Sequence, residues 1–447
     1  MSTRAWRSPQ MGSLLFVAPL MLVFAWTMGA IVASNDVLIV RASVYLSAIT
    51  VISMMLFWMM ARSDSHGRPL LVFLMISLML KLTAMAFRFN VGLLADAWQY
   101  DDAGVRLAGI LASGRWPEEI SYGGSDVVRL LTGLVYFVTG ETIYGISMLW
   151  AWFGLLGMLF FYKAFSTAFP GGNRRLYMAL VFLYPSMLLW TSSLGKDALM
   201  VMALGMASYG LARLQQRTEL VGVWWLGLGT FGMLMIRPHI AAIFAIAAGF
   251  SALIRPIRAG LMTPVIRMAG LILFVAVGAF VVQTAAGYIQ LEGLAPEDVL
   301  GFIETEQGLS EQGGSAFQQV SVRNNPLAYL VNVPTILFRP FPWEALRANR
   351  STFALIASLE GFGLLLLMLY RRRSVAAALA ASPRNSFVLF TVIFAALFIF
   401  IFSAIANFGI LARQRSTLLP LVFMWIAYLG STPTFGHIMS GQAAHRR

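Results

Sequence analysis

The chain contains no cysteine in its 447 residues. Disulfides, thiolate metal sites and cysteine nucleophiles are therefore excluded, although the redox compartment stays open. Charge is scarce as well. Asp, Glu, Lys and Arg make up 11% of the residues, with 19 acids against 32 bases. No His/Asp/Glu cluster has the spacing of a structural zinc site, and no glycine-rich phosphate loop precedes a lysine, so a nucleotide-driven pump has no support. No repeat of 20–50 residues is evident, and no linker divides the chain into soluble domains.

What is present is apolar: 59% hydrophobic residues, with 33 Phe, 25 Met and 12 Trp, and a mean hydropathy of +0.76. Runs near the ~20 residues needed to cross a ~30 Å hydrocarbon core recur throughout. They fall near 12–34, 43–61, 69–90, 143–163, 176–192, 198–213, 221–236, 239–254, 266–285, 351–370, 386–404 and 416–430. The expectation is one polytopic, all-α integral membrane domain over 1–447, with about twelve transmembrane helices (range 11–14). The first run is too long for a signal-peptide core and lacks a clear small-residue cleavage site, so it reads as a retained helix. Runs 126–139 and 326–338 are short and flanked by polar residues, which suits juxtamembrane or re-entrant segments. The net charge of +13 reads as loop charge and anion binding, not as a nucleic-acid surface.

Loop charge orients the spans. With Arg4 and Arg7 in the cytoplasm and the two short runs not crossing, the cytoplasmic side receives Arg62/Arg68, Lys163/Arg174/Arg175 and Arg213/Arg217. It also receives Arg255/Arg258, Arg371–Arg373/Arg384 and Arg446/Arg447, which obeys the positive-inside rule and puts both termini inside. Among the acids, only Asp64 and Glu219 then fall in cytoplasmic loops. Two long outer loops result: 91–125, a candidate catalytic loop with Asp96, Asp101 and Asp102, and 286–350, a candidate acceptor loop or lid.

Several bases break the pattern by lying in short outer turns: Lys196 in TSSLGKDAL, Arg237 and His239 in IRPHI, Arg339 in FRPFPW, Arg413 and Arg415 in NFGILARQRS. Any one of them could snorkel or cap a helix end. As a set they form a candidate rim for a lipid phosphate, which Arg grips with a planar fork and Lys with a point charge. Asp197 could equally serve structure, as part of an ion pair, or chemistry. Lys81, Arg88 and Glu360 sit within apolar runs, where ionisable groups face protein or a watery cavity; Glu360 is expected either to pair with a buried base or to be protonated.

A carboxylate just after an outer helix end is well placed to accept a proton from a sugar hydroxyl. Two of the three aspartates could also hold Mg²⁺ or Mn²⁺ through oxygen ligands. From about residue 69 to 215 the chain resembles the GT-C-type membrane glycosyltransferases, of the dolichyl-phosphate-mannose mannosyltransferase kind, seen in bacterial surface polysaccharide synthesis. The resemblance rests on DAWQYDDAGVRLAG, with Asp96, Tyr100, Gly104 and Ala108, then LLTGLVYFVTGETIYG, FFYKAF and LYPSMLLWTSSLGKDAL. It extends to IRPHI, FRPFPW and NFGILARQRSTLLP, so the ordered motifs cover roughly three-quarters of the chain.

The resemblance implies a general base at Asp96, with Asp101 and Asp102 next in rank and a second-loop acid at Asp197. Tyr100, Lys196, Arg237, His239, Arg339, Arg413 and Arg415 become the substrate-binding candidates. It implies a polyprenyl-phosphate-linked sugar donor, a glycan or lipid acceptor, inversion at the transferred sugar, and an active site facing the periplasm from a bacterial inner membrane. Two departures stand out: two additional spans precede the acid loop, and no large soluble C-terminal domain follows, so acceptor selection falls to the outer loops. Two other functions compete. An O-antigen-type polymerase or ligase would rely on the outer arginines, and a lipid-linked oligosaccharide flippase should show internal repeats and midplane binding residues.

Overall fold

The computed structural model describes residues 36–93, 95–118, 120–121, 123–216, 219–253, 337–347, 352–403 and 405–429, with a few positions between 278 and 305. Among the described residues the chain is all-helical. The helices are α1 (Val37–Ser63), α2 (Gly67–Asn90), α3 (Ala95–Ala112), α4 (Ser125–Thr139), α5 (Ile143–Ala168), α6 (Arg174–Leu183), α7 (Pro185–Leu189) and α8 (Lys196–Gln216). They continue with α9 (Leu220–Ile236), α10 (Pro238–Leu253), α11 (Pro342–Arg347), α12 (Thr352–Tyr370), α13 (Arg372–Ala381), α14 (Ser386–Phe402) and α15 (Phe408–Ala427).

Three of these, α1, α2 and α5, are long and apolar enough to cross a membrane. A fourth span results if α12 and α13, bent 74° apart, are counted as one. The apolar helices α9, α10 and α14 are shorter, reaching about 25 Å at 1.5 Å per residue. The expected span 12–34 lies outside the described residues, as do most of the span 266–285, of the run 326–338 and of the loop 286–350.

Two expected boundaries move for local reasons. The run 176–192 is not one helix: Pro185 takes the first position of α7 and Tyr184 before it is extended at ψ 131°, the conformation a following proline imposes. The last helix starts at Phe408 because the Asn407 side chain caps it, accepting from the backbone N–H of Gly409 and Ile410. Arg413 and Arg415 therefore lie inside α15 and not in a turn before it.

The chain groups into two compact units. The first comprises Met1–Leu159, Phe182–Leu204 and Phe231–Arg237. Here α1 and α2 form a hairpin, and Trp152 Nε1 donates to Ser53 Oγ at 2.9 Å to tie α5 to α1. A Cβ on Gly157 would lie 2.6 Å from the backbone of Val201 and Met202, so α5 and α8 meet backbone to backbone. Lys81 is fully buried, with its ammonium donating to the carbonyl (2.9 Å) and hydroxyl of Thr191. Arg88, buried at the end of α2, donates to Leu93 O at 2.9 Å and Leu189 O at 3.2 Å. Both cations of this candidate span thus face protein.

The second unit comprises Phe160–Val181, Gly205–Thr230 and Pro238–Arg447. Its described core includes a row on α14, Phe387, Phe390, Phe394, Phe398 and Phe402, in which successive rings contact one another. Phe244 of α10 packs edge-on against Phe390 at 5.1 Å.

Candidate functional site

Most of the acid loop is a helix. In α3 the buried positions Ala97, Tyr100, Ala103, Gly104 and Leu107 recur at three- and four-residue spacing, the pattern of one helix face. In α4 the buried set is Val128, Thr132, Gly133 and Tyr136. The two helices pack closely because glycines let them: a Cβ on Gly104 would lie 2.4 Å from Thr132 Cγ2, and one on Gly133 would lie 2.6 Å from Leu107 Cβ.

The opposite face of α3 carries Trp98, Asp101, Asp102, Val105 and Arg106 into a cavity of about 460 Å³, within the usual range for a small-molecule site. Leu38 from the start of α1 completes the wall, with Glu141, Thr142, Ile143 and Tyr144 around the start of α5. Aromatic contacts buttress the rim. Phe89, at the end of α2, lies 4.8 Å from Tyr144 and 6.2 Å from Trp98 between ring centroids. Thr142 accepts from Gly145 N and donates to Leu38 O, so the connection into α5 is pinned to α1. Arg41 donates to Glu141 O at 3.0 Å beside Gly140, whose φ of 78° favours glycine.

The two adjacent aspartates have different surroundings. Asp101 is half-buried and accepts a hydrogen bond from the Tyr136 hydroxyl of α4. Burial lifts its carboxyl above the ordinary value; the Tyr136 bond opposes this, and the charges of Asp102 and Glu141 add to it. The Tyr136 hydroxyl is itself pushed up, first by burial and then by its bond to Asp101. Asp102 is exposed into the cavity, and Arg106 stands one turn along the same face. Trp98 and Tyr144 are 48% and 39% exposed, leaving flat apolar surface open beside the carboxylates. Such faces combine an apolar body with a polar edge.

Asp96 is exposed in the first turn of α3, where a carboxylate complements the helix dipole. It is not among the residues lining the cavity. Tyr100, five residues before the cavity's Val105, is buried and faces the body of the unit. Trp98, Arg106, Tyr136, Glu141 and Tyr144 were not singled out by the sequence. The signal that could have found the first two is the spacing Trp98, Asp102, Arg106, one face of a helix once 95–112 is recognised as helical.

Asp197 and Arg237 come together elsewhere. Asp197 lies in the first turn of α8, and Arg237 follows the end of α9. Arg237 Nη2 donates to Asp197 Oδ1 at 2.8 Å, with both side chains under 10% exposed. Gly124 N donates to Met235 O at 2.7 Å, so the end of α9 is tied to the N-terminal end of α4. The Tyr136–Asp101 bond lies about 18 Å further along α4 by helical rise. The cavity acids and this ion pair therefore occupy different parts of the unit. Lys196 is half-buried beside Asp197.

In the second unit, Arg339 pairs with Glu344 at 2.8 Å, and that carboxylate also caps α11 by accepting from Phe341 N. Arg415 is buried within α15, donates to the carbonyls of Leu337 and Arg339, and lies 3.6 Å from Glu360. The buried base expected for Glu360 is thus Arg415. His239 is half-buried, its ring 6.0 Å from Phe402, and Arg413 is half-buried.

Among the described residues no three His, Asp or Glu side chains come together as a metal-holding group. Asp101 and Asp102 offer a partial oxygen set of the kind Mg²⁺ completes with water. Comparison of the chain with protein-family models, with curated proteins and with solved structures finds no match.

Proposed function

We propose that the protein is a membrane glycosyltransferase of the GT-C type, transferring a sugar from a polyprenyl-phosphate carrier to a glycan or lipid acceptor at the extracytoplasmic face. The observation that carries this reading is the cavity that gathers two adjacent aspartates, an arginine and two open aromatic faces between α3 and the starts of α1 and α5. Carboxylates take protons from hydroxyls, aromatic faces receive sugar rings, and a guanidinium grips phosphate oxygens.

The chemistry divides between the residues. Asp102, open to the cavity, accepts the proton of the attacking acceptor hydroxyl. The acceptor oxygen bonds to the anomeric carbon as the bond from that carbon to the phosphate oxygen breaks. The electron pair leaves with polyprenyl phosphate, whose added charge Arg106 stabilises. One base and one displacement give inversion. Asp101, held by Tyr136, positions its neighbour and shapes the field. Asp96, at the exposed start of α3, has the second claim to the base. The arginines at 237, 339 and 415 each hold a carboxylate, so phosphate contact is assigned to Arg106. A divalent ion, if taken up by Asp101 and Asp102, would supply further charge for the leaving phosphate.

The test is release of polyprenyl phosphate from a panel of polyprenyl-phosphate sugars by the purified protein in liposomes. Transfer that weakens through KM in Trp98→Ala supports the cavity as the sugar seat. An unchanged KM and kcat in that variant would move the reaction elsewhere. The polymerase reading is separated by product length, since it adds oligosaccharides and not single sugars.

A further inference from the structure

At one end of the second unit, four chain segments that are distant in sequence converge. Asn173 N donates to Ala427 O at 2.9 Å, and Arg371 Nε donates to the adjoining carbonyl, Ile426 O, at 3.2 Å. Phe169 packs edge-on against Phe387 at 5.8 Å and against Tyr428 at 5.5 Å. The start of α6, the break between α12 and α13, the start of α14 and the end of α15 therefore meet. Each of the first three brings arginine: Arg174 and Arg175, then Arg371, Arg372 and Arg373, then Arg384.

The surroundings favour an anion. The carbonyl end of α15 faces this cluster, a position that draws cations. Arg175, Arg372, Arg373 and Arg384 are exposed. The described carboxylates of this unit are engaged by other arginines: Glu219 by Arg213, Glu344 by Arg339 and Glu360 by Arg415. Nη2 of Arg371 is buried and makes no hydrogen bond among the described residues, a donor without an acceptor on the side chain whose Nε already holds the end of α15.

The bend supplies the second element. Between Tyr370 and Arg372 the chain turns 74°, so if α12 runs along the bilayer normal, α13 runs close to the membrane plane. There α13 presents Arg372 and Arg373 at headgroup level, with Leu379 43% exposed near its other end. A short helix with arginines at one end and small apolar residues along its length suits the interface.

We infer that this end of the second unit is a binding site for anionic phospholipid headgroups, built by Arg371–Arg373 on the bend and completed by Arg174, Arg175 and Arg384. Positive-inside topogenesis needs only basic loops; it does not require three of them to gather around one helix end.

The test is titration of the delipidated full-length protein in detergent with short-chain phosphatidylglycerol or phosphatidylcholine, read as lipid adducts by native mass spectrometry. Phosphatidylglycerol should bind at least tenfold more tightly than phosphatidylcholine. Arg372→Gln/Arg373→Gln should weaken it by about fivefold for each charge removed. Equal binding of the two lipids overturns the site. So does an equal loss in the charge-matched Arg62→Gln/Arg68→Gln variant, which would make the effect one of bulk charge. Displacement of the lipid by millimolar inorganic phosphate would assign the cluster to a free anion and overturn the lipid reading.

Discussion

Replacing Asp197 by alanine separates structure from chemistry at the residue where the sequence left both open. The carboxylate is 5% exposed and the Arg237 guanidinium 7%, and their 2.8 Å contact joins the start of α8 to the end of α9. Asp197→Ala strands a buried guanidinium, and removing one partner of such a pair costs about 3–5 kcal/mol. For domains of 150–250 residues each kcal/mol moves the midpoint by about 2–4 °C, so Tm should fall by roughly 6–20 °C. Replacing both partners with apolar side chains, Asp197→Leu/Arg237→Met, removes the stranded charge and should recover most of the loss. Thermal unfolding in detergent, followed by tryptophan fluorescence alongside transfer activity, reads the cycle. Asp197→Ala with an unchanged Tm and abolished transfer would refute the assignment and return Asp197 to the catalytic set.

Other outcomes follow from the same contacts. Asp101 has a folded-state pKa raised above its unfolded value, so folding favours its protonated form; its contribution to stability is present at low pH and is lost as pH rises from about 4 through the folded pKa. Asp101→Asn keeps an acceptor for Tyr136 and should flatten that part of the stability–pH profile, measured by denaturation across pH 3–7. Gly104→Ala forces a methyl against Thr132 Cγ2 and should cost about 1–3 kcal/mol. Adding Thr132→Ser, which deletes that carbon, should restore most of it in the same unfolding assay. Arg106→Ala should raise KM for a polyprenyl-phosphate donor by about tenfold or more while Tm stays within a few degrees, since the residue is exposed.

Much of the helical framework was legible because continuous apolar runs have few alternatives in a membrane. The runs 43–61, 69–90 and 143–163 return within α1, α2 and α5, each of which extends beyond its run. The segment around Pro185 was misjudged because summed hydropathy ignores what one proline does to the residue before it. At the last helix, the capping power of Asn407 outweighed the drop in hydropathy over ARQRS. The acids of 91–125 stand out by composition, but the helix that carries Asp96, Asp101 and Asp102 was hidden by polar residues that read as solvated loop. Without the helix, the face shared by Trp98, Asp102 and Arg106 could not be drawn. The pairs Asp197–Arg237 and Glu360–Arg415 depend on which helix ends meet across long sequence separations, and no local pattern encodes that. Tyr136 is a similar case: an aromatic on the buried stripe of α4, whose hydroxyl matters only because α3 brings Asp101 to it.

The most direct measurement is single-turnover transfer by Asp102→Asn from a polyprenyl-phosphate-linked sugar, with donor affinity measured in parallel. Loss of a positioned general base should lower the rate by about 10²–10⁴, with donor affinity and Tm unchanged. Transfer at the wild-type rate in Asp102→Asn would contradict the cavity as the catalytic centre.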